Sequence, residues 1–474
     1  MHVLANSISV AITQSESCAM EIISFRLTNL GRFEQLKAHL ASRGKGSVTV
    51  FIGNNGAGKT TVLTSLATIL SWFVARLRSE KGSGSHIPEE VILNGQASAM
   101  IDIEVFDEQG QSGNPDADES EHLYCWTLAK TAKGKKASLT SSLQEATHLA
   151  EYYRNGLTAR KDQSLPLIAF YPVERVVLDI PLKIKSKHSF LQLDGYDNSL
   201  NQGVDFRRFF EWFREREDFE NESGLPQDIL DNLLSSVSIE SDIWHKLQYF
   251  MASSRDRQLT AVRTAIANFM PGFSNLRVRR KPRLHMSIDK DGQTLNVSQL
   301  SQGEKSLMAL VGDIARRLAM MNPGLENPLH GDGIVLVDEV DMHLHPSWQR
   351  SVIRRLTDTF PNCQFILTTH SPLVISDGKD VMVYSLENGE LVTVSSQYGQ
   401  DANTVLLDVM DTHIRNETVA KKLGDLLDLI QNGKLEEAKN KLNALKDELP
   451  SNNLELVKAQ ILLRKQEIKN AQNQ

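Results

Sequence analysis

Apolar and polar residues follow the two periods expected of strands and helices, and their order indicates an α/β protein. Residues 21–27 and 99–106 alternate like half-buried strands, whereas residues 48–52 and 334–337 are continuous branched apolar runs typical of buried parallel strands. A glycine-rich loop and an amphipathic helix follow the first of these runs. The apolar positions of that helix are Leu63, Leu66, Ala67 and Leu70.

Two further regions are predicted to be helical. Phenylalanines recur at helical spacing in a highly charged stretch, at Phe206, Phe209, Phe210 and Phe213, which predicts a helical insertion. Three amphipathic stripes separated by turns follow residue 401, the last of them on Leu454, Val457 and Ile461. The predicted organisation is an N-terminal extension (1–19), a first lobe (20–190), the insertion (191–276), a second lobe (277–400) and a helical tail (401–474).

Composition places the chain among folded globular proteins. Its 474 residues are 41% apolar, and 52 Lys plus Arg against 59 Asp plus Glu give a net charge of −7. The three cysteines form no CxxC pattern, so neither a disulfide framework nor a zinc site is expected. No apolar run approaches the roughly 18–20 residues of a membrane span, and no secretory signal precedes the first strand. We therefore expect a cytoplasmic protein without a membrane partner.

The loop after the first buried strand reads GNNGAGKT and fits the pattern GxxxxGK[ST]. Its glycines let backbone N–H groups surround phosphate oxygens at a helix N-terminus. Lys59 is expected to reach the β- and γ-phosphates of ATP, Thr60 to ligate Mg²⁺, and Thr61 to contact the α-phosphate. The predicted nucleotide contacts of this loop are Gly53, Asn54, Asn55, Gly56, Ala57, Gly58, Lys59, Thr60 and Thr61.

Two adjacent carboxylates, Asp338 and Glu339, end the second buried strand. Burying such a pair without a cation is costly, which favours a functional role. We expect Asp338 to hold Mg²⁺ and Glu339 to polarise the attacking water. The alternative, a surface turn after a core strand, is disfavoured once the phosphate-binding loop is accepted.

Two shorter motifs complete the set. Residues 300–305 read LSQGEK and open a helix, where Ser301, Gln302, Gly303 and Glu304 could contact a γ-phosphate. Alone, this motif could be only a helix cap. The segment FILTTHSP at 365–372 begins as an apolar strand, and this strand ends at His370. The histidine is placed to contact the same phosphate.

In this order, the motifs GNNGAGKTT, LSQGEK, VLVDEVDMHLHP and TTHSP resemble those of the ABC ATPase superfamily, in the branch of RecF and SMC-like proteins. The resemblance covers residues 20–190 and 280–395. It implies a P-loop NTPase head with a mixed sheet flanked by helices. It also implies an ATP site completed by the signature motif of a second copy, the segment that contains Ser301, Gly303 and Glu304. It also implies that Lys59, Glu339 and His370 act in catalysis and that Asp341 lies in the D-loop.

The segment YPVER at 171–175, the stretch 206–219 and the short tail are similar to the ATPase subunit of Septu-type and retron-associated anti-phage systems. That resemblance implies a separate HNH nuclease as partner and, in some members, a reverse transcriptase with its RNA–DNA product. Arg175 is a candidate for the Q-loop position, and Phe33 or Arg32 for the adenine contact. His343 and His345 are expected to shape a subunit contact, with metal binding as the alternative.

Five cations within seven residues form a basic cluster before the signature motif. Arg277, Arg279 and Lys281 alternate and would share one strand face. The cluster could bind nucleic-acid phosphates or could be the charged guard of an edge strand. Its members are Arg277, Arg279, Arg280, Lys281 and Arg283.

The sequence favours a regulatory ATPase that clamps ATP between two heads and controls an associated nuclease against phage. A RecF-like DNA-repair clamp and a nucleotide-locked scaffold with little turnover remain the alternatives. A transporter subunit is disfavoured by the helical insertion.

Overall fold

The computed structural model describes residues 20–41, 47–108, 122–136, 138–160, 162–173, 190–201, 206–223, 255–410, 416–450 and 452–472. The chain forms two compact units, residues 1–400 and 401–474. The predictions for the N-terminal extension, the Q-loop candidate Arg175 and residues 224–254 of the insertion lie outside the described residues.

The first unit contains thirteen strands among its described residues. They are β1 (Met20–Leu30), β2 (Phe33–His39), β3 (Val48–Gly53), β4 (Ser98–Asp107), β5 (Leu123–Thr131), β6 (Leu167–Tyr171), β7 (Phe273–Arg279), β8 (His285–Lys290), β9 (Gln293–Asn296), β10 (Gly333–Val337), β11 (Cys363–Thr368), β12 (Val381–Glu387) and β13 (Glu390–Val394). Its helices are α1 (Lys59–Arg78), α2 (Gln144–Ala159), α3 (Phe206–Ser223), α4 (Arg257–Phe269), α5 (Gln302–Met321), α6 (Pro346–Thr359) and the short α7 (Pro372–Ser376).

A six-stranded sheet forms the centre of this unit, in the order β13-β12-β3-β11-β10-β6. Every neighbouring pair is parallel except β12 and β13. The strands β3, β10 and β11 run in the same direction. The GNNGAGKT loop, the Asp338–Glu339 pair and His370 therefore all lie at the carboxyl edge of the sheet, where these strands end. This arrangement confirms the predicted α/β class with a mixed sheet flanked by helices.

A four-stranded antiparallel sheet, β2-β1-β4-β5, packs beside the central sheet. Gln364 of β11 joins the two sheets, because its Oε1 accepts the Ile22 N–H at 2.8 Å and its Nε2 donates to the Ile22 carbonyl at 2.9 Å. Helix α1 contacts strands of both sheets. By length and composition α1 could span a membrane, but 67% of its apolar window is buried inside the unit, as in the core helix of a soluble protein.

Helices α3 and α4 pack against α5, the helix that begins after Ser301. The phenylalanines of α3 that set the helical spacing are all buried, together with Trp212. Gly312 of α5 allows this close approach, because a Cβ there would lie 3.0 Å from Phe209 Cε2. The described helices of the predicted insertion thus belong to the packing of the first unit.

The strands β7, β8 and β9 form a small antiparallel sheet that leads directly into the signature motif. Strand β7 ends at Arg279, so Lys281 lies in the turn before β8. The prediction that Arg277, Arg279 and Lys281 share one strand face is therefore wrong for Lys281.

The second unit is helical, with α8 (Ala402–Asp408), α9 (Glu417–Gln431), α10 (Leu435–Glu448) and α11 (Leu454–Gln472). The last three helices enclose one core, which consists of Leu423, Leu426, Ile430, Ala438, Leu442, Leu445, Leu456, Ala459 and Leu463. The predicted third stripe is wrong, because Leu454, Val457 and Ile461 are 73%, 42% and 62% exposed. Helix α11 packs through the neighbouring face instead.

Candidate nucleotide site

The GNNGAGKT loop joins β3 to α1 in the conformation of an anion cradle. Gly53, Gly56 and Gly58 have φ values of 145°, 77° and 104°, in a region that side-chain-bearing residues rarely adopt. At Gly58 the approach of another side chain is also close, since a Cβ would lie 2.5 Å from Phe33 Cζ. Helix α1 has no side-chain cap and no acidic residue in its first turn, so its positive end faces the loop. These features suit a phosphate group.

Lys59 is the buried cation of the loop. Its Nζ donates to the carbonyl oxygens of Gly53 at 2.8 Å and Asn54 at 3.2 Å, so the side chain folds back along the loop. Burial lowers the pKa of Lys59, and the nearby carboxylates of Glu339, Asp338 and Asp341 oppose that shift. Negative phosphate oxygens beside Nζ would further stabilise its charged form.

Asp338 is fully buried at the end of β10 and receives two hydroxyl groups. Thr60 Oγ1 donates to Asp338 Oδ2 at 2.7 Å, and Thr368 Oγ1 donates to Oδ1. The Asp338 N–H donates to the carbonyl of Tyr171 at 2.9 Å. Because a hydroxyl and a carboxylate are hard oxygen donors, Thr60 and Asp338 fit the requirements of Mg²⁺. Thr368 was missed at the sequence level, although it lies two residues before His370.

Glu339 and His370 face one another at the same edge of the sheet. Their Oε1 and Nε2 atoms are 3.9 Å apart, and their side chains are about one-third exposed, 32% for Glu339 and 35% for His370. Glu339 has a φ of 44°, and its N–H donates to Thr368 Oγ1 at 2.7 Å, which fixes the turn after the strand. The Glu339 and His370 side chains are therefore accessible to water. Thr368 of β11, the strand between β3 and β10, holds the turn at Glu339.

Asp341 anchors the segment that follows. Its Oδ1 accepts the Thr369 hydroxyl and, at 3.4 Å, the His370 N–H. His345 caps α6 by accepting the Ser347 N–H at 3.3 Å. Across the described residues, no group of three or more His, Cys, Asp or Glu side chains is placed to hold a metal ion. The role of His343 and His345 in a subunit contact stays a prediction.

Ser301 is the N-cap of α5 and forms a reciprocal pair with Glu304. Ser301 N–H and Oγ each donate to Glu304 Oε2 at 2.9 Å, and the Glu304 N–H donates to Ser301 Oγ at 3.3 Å. Gly303 packs on the segment that follows Asp341, since a Cβ there would lie 2.4 Å from the His343 carbonyl oxygen. Within the described part of the chain, no hydrogen bond or ion pair joins residues 301–304 to residues 53–61.

A buried charge network connects α5 to β6, the outermost strand on one side of the central sheet. Asp313 accepts hydrogen bonds from Arg316 Nη2 at 2.7 Å, Arg317 Nε at 2.7 Å and Tyr171 OH at 3.0 Å. All four side chains are at most 1% exposed. Although the burial of Asp313 opposes its ionisation, the two guanidinium groups hold its pKa at about 2. Since Tyr171 also accepts the Asp338 N–H, the network links the signature helix to Asp338.

The adenine assignment to Phe33 is wrong, because Phe33 is fully buried beneath Gly58. Arg32 is exposed and lies beside Gly56, where its Nη2 would be 3.9 Å from an added Cβ. A cavity of about 160 Å³ opens beside Thr60 and Thr61, with walls that include Leu30, Ile87 and Pro88.

The basic cluster is divided by its contacts. Arg280 pairs with Asp218 of α3, and Arg277 Nε donates to Asn275 Oδ1 at 2.6 Å. Arg279, Lys281 and Arg283 are exposed around the turn between β7 and β8. The exposed charge of the cluster is therefore concentrated at that turn.

Comparison with known proteins gives matches over most of the chain. The family described as "AAA domain, putative AbiEii toxin, Type IV TA system" matches residues 171–376, and a second AAA domain family matches residues 24–242. The chain is 31% identical over 413 residues to the retron Vc95 probable ATPase of Vibrio cholerae serotype O1 biovar El Tor. The matched region covers 80% of this chain and 77% of that protein.

Two further relatives agree with this match. The retron Ec83 probable ATPase of Escherichia coli is 34% identical over 414 residues, covering 80% of this chain and 73% of that protein. The Septu protein PtuA of Bacillus mycoides (strain KBAB4) is 40% identical over 97 residues, covering 20% of this chain and 13% of that protein. The predicted resemblance to Septu and retron ATPases is thereby confirmed.

Proposed function

The chain belongs to the family of the retron ATPases and is itself an ATPase, and we propose that it hydrolyses ATP in a site shared by two copies. One copy supplies the GNNGAGKT loop, Asp338, Glu339 and His370, and the other supplies Ser301 to Glu304. The observation that carries this proposal is the convergence of the first set on one sheet edge. Among the described residues, by contrast, the side-chain hydrogen bonds of residues 301–304 join Ser301, Glu304 and Lys290, and Gly303 packs against the His343 carbonyl.

The residues at this edge have separable roles in the proposed reaction. Lys59 and the loop amides bind the phosphates and orient the γ-phosphate. Glu339 accepts a proton from a water molecule, whose oxygen forms a bond to the γ-phosphorus while the bond to the bridging oxygen of ADP breaks. His370 contacts the γ-phosphate beside Glu339. Thr60 and Asp338 would hold Mg²⁺, which would supply charge neutralisation at the phosphates.

The shared site predicts how turnover depends on concentration. Hydrolysis per chain should fall steeply when the protein is diluted below the concentration at which it self-associates in ATP, measured in parallel by light scattering. A turnover per chain that stays constant in a fully monomeric sample would contradict the proposal.

We further propose that this ATPase controls an HNH nuclease in anti-phage defence in the cytoplasm. The relatives named for retrons and Septu support this role. Exposed Arg279, Lys281 and Arg283 provide a surface for nucleic-acid phosphates, including those of a reverse transcriptase's RNA–DNA product. The test is whether an HNH protein encoded by an adjacent gene co-purifies with this chain. Its nuclease activity should then differ between ATP and ADP. A nuclease indifferent to the nucleotide would contradict it.

A further inference from the structure

Lys290 connects the small antiparallel sheet to the signature motif. It ends β8, and its Nζ lies 2.7 Å from Glu304 Oε1 and 5.5 Å from the ring centroid of Phe273. The Lys290 side chain is 33% exposed and that of Glu304 is 17% exposed. This ion pair is therefore better shielded from water than an ordinary surface pair.

The helix cap does not require this lysine. A reciprocal Ser–Glu cap needs only the hydrogen bonds between Ser301 and Glu304, which the structure contains. Glu304 uses Oε2 for the cap and Oε1 for Lys290, so the carboxylate lies between the cap and a cation. Although burial opposes ionisation, the bonds from Lys290 and Ser301 hold the pKa of Glu304 below its ordinary value.

An ionised Glu304 creates two difficulties for a phosphate site. Its negative charge repels an approaching triphosphate, and its Oε2 accepts the Ser301 hydroxyl hydrogen that the phosphate would need. A cation paired with the other carboxylate oxygen reduces both effects, because it offsets the charge and weakens Oε2 as an acceptor. Lys290 is in that position.

We propose that Lys290 is a positioning residue of the shared site: it holds and neutralises Glu304 so that Ser301 can donate its hydroxyl to the γ-phosphate of ATP bound by a second copy. This inference rests on the shared site of the proposed function. It also explains why a lysine at the end of β8 points at a helix cap that is complete without it.

The test measures how tightly the closed site retains nucleotide. All variants carry Glu339→Gln, which slows hydrolysis, and the readout is the release rate of a fluorescent ATP analogue after unlabelled ATP is added. We expect Lys290→Met to release it about tenfold faster, equivalent to about 1.4 kcal/mol. Lys290→Arg should restore slow release. Lys441→Met is the matched control, because Lys441 also forms an ion pair, with Asp425 at 2.6 Å, and is 31% exposed.

The decisive comparison adds Glu304→Gln. If Lys290 acts through the charge of Glu304, Lys290→Met should cause no further acceleration once Glu304 is glutamine. The same tenfold acceleration in both backgrounds would overturn the proposal, because it would assign Lys290 a packing role on Phe273. No acceleration by Lys290→Met in the parent would also overturn it.

Ser301→Arg in the same assay separates this inference from the proposed function. Fast release from Ser301→Arg supports the shared site, so failure of the Lys290 comparison would then refute only the role of Lys290. Release from Ser301→Arg as slow as from the parent would instead refute the shared site and the inference together.

Discussion

Thr60 Oγ1 donates to Asp338 Oδ2 at 2.7 Å, although the two residues are 278 positions apart in the chain. This contact joins the phosphate-binding loop to the carboxylate pair across β11, whose Thr368 donates to the other oxygen of Asp338. Thr60, Asp338 and Glu339 are therefore joined by hydrogen bonds through Thr368 at the carboxyl edge of the central sheet, and changes in the residues of the proposed site should have distinct effects.

Lys59→Ala should abolish ATP binding, because it removes the buried cation that lies along the loop. The measurement is titration with a fluorescent ATP analogue, with thermal unfolding to verify that the variant is folded. Lys37→Ala, an exposed lysine on β2, serves as the control and should bind normally. Wild-type affinity in folded Lys59→Ala would refute the nucleotide site.

Glu339→Gln should bind ATP normally and hydrolyse it about 10²–10⁴-fold more slowly, the range typical for loss of a general base. The substitution leaves Asp338 and Thr60 in place, so binding and hydrolysis should separate. Single-turnover hydrolysis measures the effect, and Glu390→Gln on the exposed strand β13 is the control. Near-normal turnover would move the catalytic role to another residue.

Reversing the exposed cations of the basic cluster, Arg279, Lys281 and Arg283, to glutamate should weaken nucleic-acid binding. The slope of log K against log salt should become shallower by about 2, because each lost phosphate contact contributes roughly 0.7–0.9. A control with the same charge change reverses Lys133, Lys135 and Lys136, which are exposed elsewhere in the first unit. An unchanged slope favours a charged edge that only prevents strand pairing.

Asp313→Asn should lower the free energy of unfolding by about 3–5 kcal/mol, because it leaves two buried guanidinium groups without their carboxylate. The pKa of Asp313 is held at about 2, below its unfolded value, so this stabilisation is present above about pH 4 and is lost as the pH falls through 2. Urea unfolding at several pH values measures the difference between the two proteins. A difference below 1 kcal/mol at pH 7 would contradict the structural role.

The sequence was sufficient for features that depend on neighbouring residues. The GNNGAGKT loop, the cap at Ser301 and the strand that ends at Asp338 are local patterns, and the order of the elements then indicated the sheet. Contacts between distant segments gave no such signal. Tyr171, Asp313 and Lys290 are unremarkable within their own elements, and only packing brings Tyr171 to Asp313 and Lys290 to Glu304.

Two errors have a similar origin. Phe33 follows the turn at residues 31–32, and only the fold shows that its ring lies beneath Gly58 of the GNNGAGKT loop. In α11 two apolar stripes are adjacent, and periodicity alone could not indicate whether Leu454 or Leu456 packs inward.

The shared site is tested most directly by mixing two inactive variants. Lys59→Ala lacks a functional phosphate loop but keeps its signature, and Ser301→Arg keeps the loop but blocks the signature with bulk and charge. A mixed dimer contains one intact site, so ATPase activity should recover partially on mixing, while each variant alone stays inactive. Full ATPase activity of Ser301→Arg by itself would contradict the account.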